Sequence, residues 1–114
     1  MAKLNRISIR ELRRLLPIWQ EILRIQDWDI KVEVAKKLDH GEAYCIPDAK
    51  YKMAQIVFKQ YTSWETEDLL VHELMHVAMS GFDNSIADGS PEDTQLETFV
   101  DKTAKTLVRL RNGA

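Results

Sequence analysis

Two histidines one helical turn apart, with a glutamate directly after the first, are the residues here whose types and spacing could do chemistry. Positions 72 to 76 read His-Glu-Leu-Met-His. On a helix, residues i and i+4 share a face, so His72 and His76 aim their imidazoles at one point. Neutral imidazole nitrogens bind zinc at about 2.0–2.1 Å. Glu73 lies about 100° further round the helix, placed to act on a metal-activated water without binding the ion, which is the role of a general base. The bland reading, three ordinary helix residues, is opposed by their surroundings. From Leu69 to Met79 the eight residues other than these three are all apolar. Such a helix is buried, and buried polar groups need partners; a cation held by the imidazoles supplies one.

Catalytic zinc sites commonly use three protein ligands. The continuation HExxHxxGxxH needs Gly at 79 and His at 82, and the chain has Met79 and Phe82, which excludes it. His40 lies far upstream, so a downstream carboxylate is expected: Asp83, Asp88, Glu92, Asp93, Glu97 or Asp101. Glu97 is favoured. It begins a helical stripe with Asp101, Ala104 and Val108 that turns apolar at its far end and can face the histidine helix. Asp101, one turn beyond Glu97, can then accept a hydrogen bond from a ligand imidazole and fix its tautomer. Asp83, Asp88 and Asp93 stay open as alternatives.

The elements that must position these groups follow from pattern. Ser8 and Glu11 form a capping box, with Ile7 and Leu12 at the positions of a hydrophobic staple. The helix they open carries Leu12, Leu15, Leu16, Trp19, Ile22 and Leu23 on one face, and Pro17 is expected to kink or split it. From Trp28 the period becomes two, with Ile30, Val32 and Val34 alternating against Asp29, Lys31 and Glu33. Ala43 to Ile46 and Met53 to Lys59 give two more strands, the latter with Ala54, Ile56 and Phe58 on one face. Thr62 and Ser63 with the acidic cluster Glu65, Glu67 and Asp68 mark the start of the histidine helix, which runs through Met79 to a stop at Gly81. A polar loop to Ser90 precedes a last helix with Ser90 as N-cap, Pro91 at N1 and a core face of Leu96, Phe99, Val100, Ala104 and Leu107.

Composition narrows the classes. A chain of 114 residues, 45% hydrophobic and 30% charged, is expected to fold as one domain over residues 1–114. No apolar run reaches membrane-spanning length. Met1 to Arg6 is polar and basic and is followed by an amphipathic pattern, unlike a secretory signal, so a cytoplasmic location is expected. One cysteine, Cys45, excludes an internal disulfide and a Cys-rich zinc module and reads as a small buried hydrophobe. Residues 1–37 carry a net charge of +4 and the remainder −6. The excess of Arg10, Arg13 and Arg14 fits a solvated helix face, and no nucleic-acid partner is expected.

His72-Glu73-Leu74-Met75-His76 followed by Glu97-Thr98-Phe99-Val100-Asp101 resembles the gluzincin pattern of HExxH then ExxxD. The order of elements, over nearly the whole chain, resembles the minigluzincins and similar small metallopeptidases. Leu96 stands where larger gluzincins often carry an asparagine. The resemblance implies an α+β, zincin-like fold: an N-terminal helix, a small three-stranded mixed sheet, an active-site helix and a glutamate-bearing helix. It implies a Zn2+ cofactor on His72, His76 and Glu97, Glu73 as general base, and peptide-bond hydrolysis of a peptide or protein substrate. It also implies a strand bordering the cleft that pairs with extended peptide, for which Met53 to Phe58 is the expected segment. His40, Tyr44 and Tyr61 are candidates to steady a tetrahedral oxyanion. The competing expectation is a non-catalytic zinc-binding interaction or regulatory domain on the same scaffold, and a cover for the cleft is conceivable in the Gly81–Ser90 loop or the basic tail after Leu107.

Overall fold

The structure, a computed structural model, describes residues 3–39, 41–80 and 89–113. Its elements run β1 (Asn5–Arg6), α1 (Ile9–Ile22), β2 (Asp29–Ala35), β3 (Ala43–Asp48), β4 (Met53–Lys59), β5 (Tyr61–Thr62), α2 (Thr66–Ala78) and α3 (Pro91–Arg111). The class is α+β, with helices packed on a small mixed sheet.

Helix α1 begins where its cap is encoded, the Ser8 hydroxyl accepting from the Glu11 N–H at 3.4 Å. Ile7 and Leu12 both lie in the core. Pro17 does not split α1, which runs unbroken from Ile9 to Ile22. Pro17 and Arg13 are exposed, so the Arg13 carbonyl that loses its partner faces solvent, where its cost is small. Leu12, Leu15 and Trp19 are buried, whereas Ile22 is exposed at the helix end. The Gln20 side chain then closes the turn into β2, donating to the carbonyls of Ile25 (3.1 Å) and Trp28 (2.9 Å).

Strand order in the sheet is β2-β4-β3, with β2 and β4 parallel and β3 antiparallel to β4. Alternation sets the faces: Ile30, Val32 and Val34 of β2 and Ala54, Ile56 and Phe58 of β4 turn toward the helices. The expectation that Met53 to Phe58 forms the cleft-side edge is corrected by this order. That segment is β4, the central strand, with both its edges already paired. The edge falls to β3, because the chain leaves β2, crosses to the far side and returns through the middle; such an order depends on pairing partners distant in sequence. The two-residue ladder of β1 with β5 was not foreseen, and it ties the N-terminal segment to the entry of α2.

Helix α2 is buried nearly all round: Leu69, Leu70, Val71, Leu74 and Val77 are at most 3% exposed. It packs against α1, β3 and α3, which is why its sequence carries a continuous apolar run in place of one stripe. Ser90 caps α3 through the Asp93 N–H at 3.1 Å, with Pro91 opening the helix. Val100, Ala104 and Val108 form its buried stripe, Leu96 and Leu107 flank it, and Phe99, expected in the core, is 58% exposed. Phe99 sits about 100° from Val100, outside the stripe that contacts α2.

A clasp holds the three helices at one end. Glu67, in the first turn of α2, accepts from Trp19 Nε1 at 2.6 Å, from Arg111 at 3.1 Å and from Asn112 at 3.0 Å. The C-terminal end of α3 therefore lies beside the N-terminal end of α2, so these helices run antiparallel. The basic tail is held here, at the end of α2 away from His76, rather than across the cleft. No helix among the described residues is long and apolar enough to cross a membrane.

Candidate metal centre

The antiparallel pairing of α2 and α3 places residues 72 and 76 of one helix against 101 and 97 of the other. His72 Nε2 lies 3.5 Å from Glu97 Oε2 and His76 Nε2 lies 3.1 Å from Glu97 Oε1. The two imidazole centroids are 5.0 Å apart. One ligand atom from each of His72, His76 and Glu97 lies within 4.8 Å of the others, and together they form a cluster that could hold a metal ion.

Asp101 stands behind His72, its Oδ1 2.8 Å from Nδ1. The distance is that of a hydrogen bond, but the contact is bent enough that Nδ1 has no aligned partner. On its other flank His72 meets the Trp64 ring edge-to-face at 5.3 Å, and Lys105 covers that indole at 4.6 Å. Sequence reading takes Trp64, like the other two tryptophans, as a core or cleft-wall residue; in the structure its ring stands against the His72 imidazole.

Burial governs the electrostatics. It pushes the Glu73 carboxyl up to about 7, a rise that His76 opposes and Glu97 reinforces. It also pushes His72 below its usual value, aided by His76 and opposed by Asp101 and Glu97. His72 therefore tends to the neutral form that a cation requires. Glu73 is only 6% exposed, and no described side chain or backbone group hydrogen-bonds its carboxylate.

A cavity of about 390 Å³ opens over these groups, lined by Ala43, Cys45 and Pro47 of β3 together with His72, Glu73, His76, Ser80 and Glu97. That volume lies in the range of small-ligand clefts. The β3 residues were not foreseen as cleft wall, although their alternation with Tyr44, Ile46 and Asp48 was a signal. Cys45 both packs on the core and faces the cavity. Tyr44 is on the opposite face of the sheet and Tyr61 is 48% exposed in β5. Neither lines the cavity, so the structure does not bring either oxyanion candidate to it. His40, Asp83, Asp88 and most of the expected covering loop lie outside the described residues. Glu92 and Asp93 lie in the first turn of α3 and are not in the cluster; Asp93 instead accepts from the Gly89 N–H at 3.0 Å.

Searches against protein-family models, curated proteins and solved structures find no match for this chain.

Proposed function

We propose that this chain is a zinc-dependent peptidase on a zincin-like scaffold, with zinc held by His72, His76 and Glu97. The observation that carries the reading is the convergence of two imidazoles and a carboxylate beside the buried carboxylate of Glu73, all lining one cavity. The donor types fit the ion. Ligands at about 2.0–2.1 Å in a tetrahedron stand roughly 3.3 Å apart; His72 lies 3.5 Å from one Glu97 oxygen and His76 3.1 Å from the other, and one donor atom from each residue lies within 4.8 Å of the rest, so the three must draw in to close on an ion. A protonated histidine paired with glutamate would give similar distances, but burial disfavours the charged form of His72.

When bound, zinc would polarise a substrate carbonyl and acidify water in the cleft. Glu73, beside the ligand histidines, would take a proton from the water as its oxygen adds to the carbonyl carbon, and return it to the amine nitrogen as the C–N bond breaks. Asp101 orients His72 by holding the proton on Nδ1, which leaves Nε2 as the lone-pair nitrogen. Among the described strands β3 is paired on one side only, and its other edge, beside the cleft, is where an extended peptide would add.

The competing reading is a non-catalytic zinc-binding domain that presents a partner surface. Three clustered donors among the described residues favour catalysis, because structural zinc is usually closed by four. The deciding experiment loads the purified chain with zinc and follows cleavage of unstructured peptides by mass spectrometry, for wild type and Glu73→Gln. Cleavage by wild type alone supports the peptidase. Stoichiometric zinc with no cleavage by either protein supports the binding domain.

A further inference from the structure

Strand β2 is the outer strand on the side of the sheet away from the cleft, and it pairs only with β4, in parallel. The Asp29 N–H donates to the Lys52 carbonyl and the Gln60 N–H to the Ala35 carbonyl, both at 2.8 Å. Successive residues of a strand send their backbone groups to opposite sides. Asp29, Lys31, Glu33 and Ala35 therefore direct theirs at β4, and Ile30, Val32 and Val34 direct theirs away from the sheet. Among the described residues no backbone group bonds these outward groups, and at the end of the edge Val34 opens on a groove of about 340 Å³ beside Ile7, Ser8 and Ile9. The described residues that flank the rest of the chain stand elsewhere. Asn5 is tied to Trp64 at 2.9 Å, Gly41 leads into β3, Ser80 lines the cavity beside β3, and Asn112 is held at Glu67.

With 7 residues, no proline or glycine and an unbroken register, β2 lacks most of the devices that blunt an edge. Its charges alternate in sign on the face turned from the helices, as Asp29, Lys31 and Glu33. A second copy of β2, laid antiparallel about a two-fold axis through Val32, fits this edge. Val32 then pairs with Val32 and Ile30 with Val34, so every outward N–H and C=O of the three residues is used. The same register sets Lys31 opposite Glu33 of the second copy, at the closer, non-bonded positions, and symmetry repeats the pair. Glu33 accepts from Gln55 through one oxygen, at 3.0 Å, which leaves the other for the lysine. Moving the axis to Lys31 or to Glu33 keeps the bonding pattern but sets like charges against each other, which repels.

We propose that β2 is a self-pairing edge: two copies of this chain join their β2 strands antiparallel about Val32, with Lys31–Glu33 pairs holding the register and two three-stranded sheets becoming one. The candidate metal centre lies beside β3, at the opposite edge, so it stays outside this interface and the inference does not depend on the peptidase reading. A strand pair buries less than the roughly 1,600 Å² of a standard interface, which sets the expected dissociation constant in the micromolar range. The competing role for these charges, guarding the edge of a monomer, predicts no self-association.

Sedimentation velocity of the full chain, from micromolar to low-millimolar concentration, tests this with wild type, Lys31→Glu, Glu33→Lys and an equimolar mixture of the two variants. Both side chains are exposed, and circular dichroism checks that each variant folds. Wild type should dimerise. Each reversal puts like charges at both symmetric positions and should weaken the dimer roughly tenfold or more. The mixture should restore it, because the two chains then meet with opposite charges at positions 31 and 33. A wild type that stays monomeric throughout overturns the proposal and leaves the charges as an edge guard. A dimer that survives either reversal unchanged overturns it as well, since its interface lies elsewhere, and loss in both variants without rescue in the mixture overturns the register. Amide hydrogen exchange on wild type reads the same edge without substitution. Protection of the Ile30, Val32 and Val34 N–H groups should rise with protein concentration, and protection that ignores concentration counts against the pairing.

Discussion

At the scale of single residues, the proposed chemistry divides between groups that hold the ion and one that moves protons, and substitutions separate them. Glu73→Gln removes the base while keeping size and leaving His72, His76 and Glu97 in place. Zinc should remain stoichiometric by elemental analysis, and the rate of peptide cleavage should fall by about 10²–10⁴-fold, the usual worth of general acid–base catalysis. Unchanged turnover would remove Glu73 from the mechanism. Glu97→Ala should weaken zinc retention in a chelator competition, and full occupancy in that variant would take Glu97 out of the site. Asp101→Asn tests orientation: an amide behind Nδ1 no longer holds the tautomer firmly, and zinc affinity should drop by about 10–100-fold with the fold intact by circular dichroism. The histidine pair and Glu73 were legible because their geometry is local to one helix. Glu97 and Asp101 were legible because an acidic stripe that turns apolar must face a neighbour. Trp64 was legible only as a core or cleft-wall residue; its contact with His72 was not, since that contact is made between a loop and a helix whose packing no periodicity encodes.

At the scale of elements, the site is a property of two antiparallel helices and one edge strand. Helix starts were readable from Ser8 and Ser90, whose side chains cap the first turns as spacing required. The strands were readable too, from alternation. Their order was not, because whether a strand is central or at the edge depends on partners, and Met53 to Lys59 looks no different in either place. The faces of β3 follow from its alternation once its neighbour is known, which puts Ala43, Cys45 and Pro47 on the cleft and Tyr44 away from it. α2 and α3 are also joined by the clasp at their far end, where Glu67 gathers Trp19, Arg111 and Asn112. Glu67→Ala leaves the buried Trp19 indole N–H without its acceptor and removes the ion-pair partner of Arg111. The expected loss is about 1–3 kcal/mol, read as a lower urea midpoint at unchanged slope. Because the clasp lies at the opposite end of α2 from His76, zinc affinity of the folded variant should change little. A large fall in affinity would show that the clasp sets the spacing of residues 72 and 97.

At the scale of the whole molecule, a core of this size carries ionisable groups that work against folding unless they are compensated, and Glu73 is the clearest. Burial holds its carboxyl at about 7 against an ordinary value of 4.5. A carboxyl with a raised folded value keeps its proton to higher pH than the unfolded chain does, so between about 4.5 and 7 the native state binds more protons. Stability from this group is fully present below 4.5 and is lost as pH rises through the folded value. The span of 2.5 units between 4.5 and about 7 corresponds to about 3 kcal/mol at most. His72 works the other way, since its value is lowered from 6.5 and its neutral form is lost as pH falls through that range; being present in both proteins, it drops out of a comparison with Glu73→Gln. Glutamine does not titrate, so in excess chelator the stability advantage of Glu73→Gln over wild type should grow as pH rises from about 4.5 to about 7 and then level off. Urea unfolding of both proteins across this window measures it. Parallel stability curves would mean that Glu73 is not held in a desolvated site, and with that the account of its readiness as a base would fail. Adding zinc should shrink the difference at high pH, because a cation beside Glu73 supplies the positive charge that burial had left the carboxylate without.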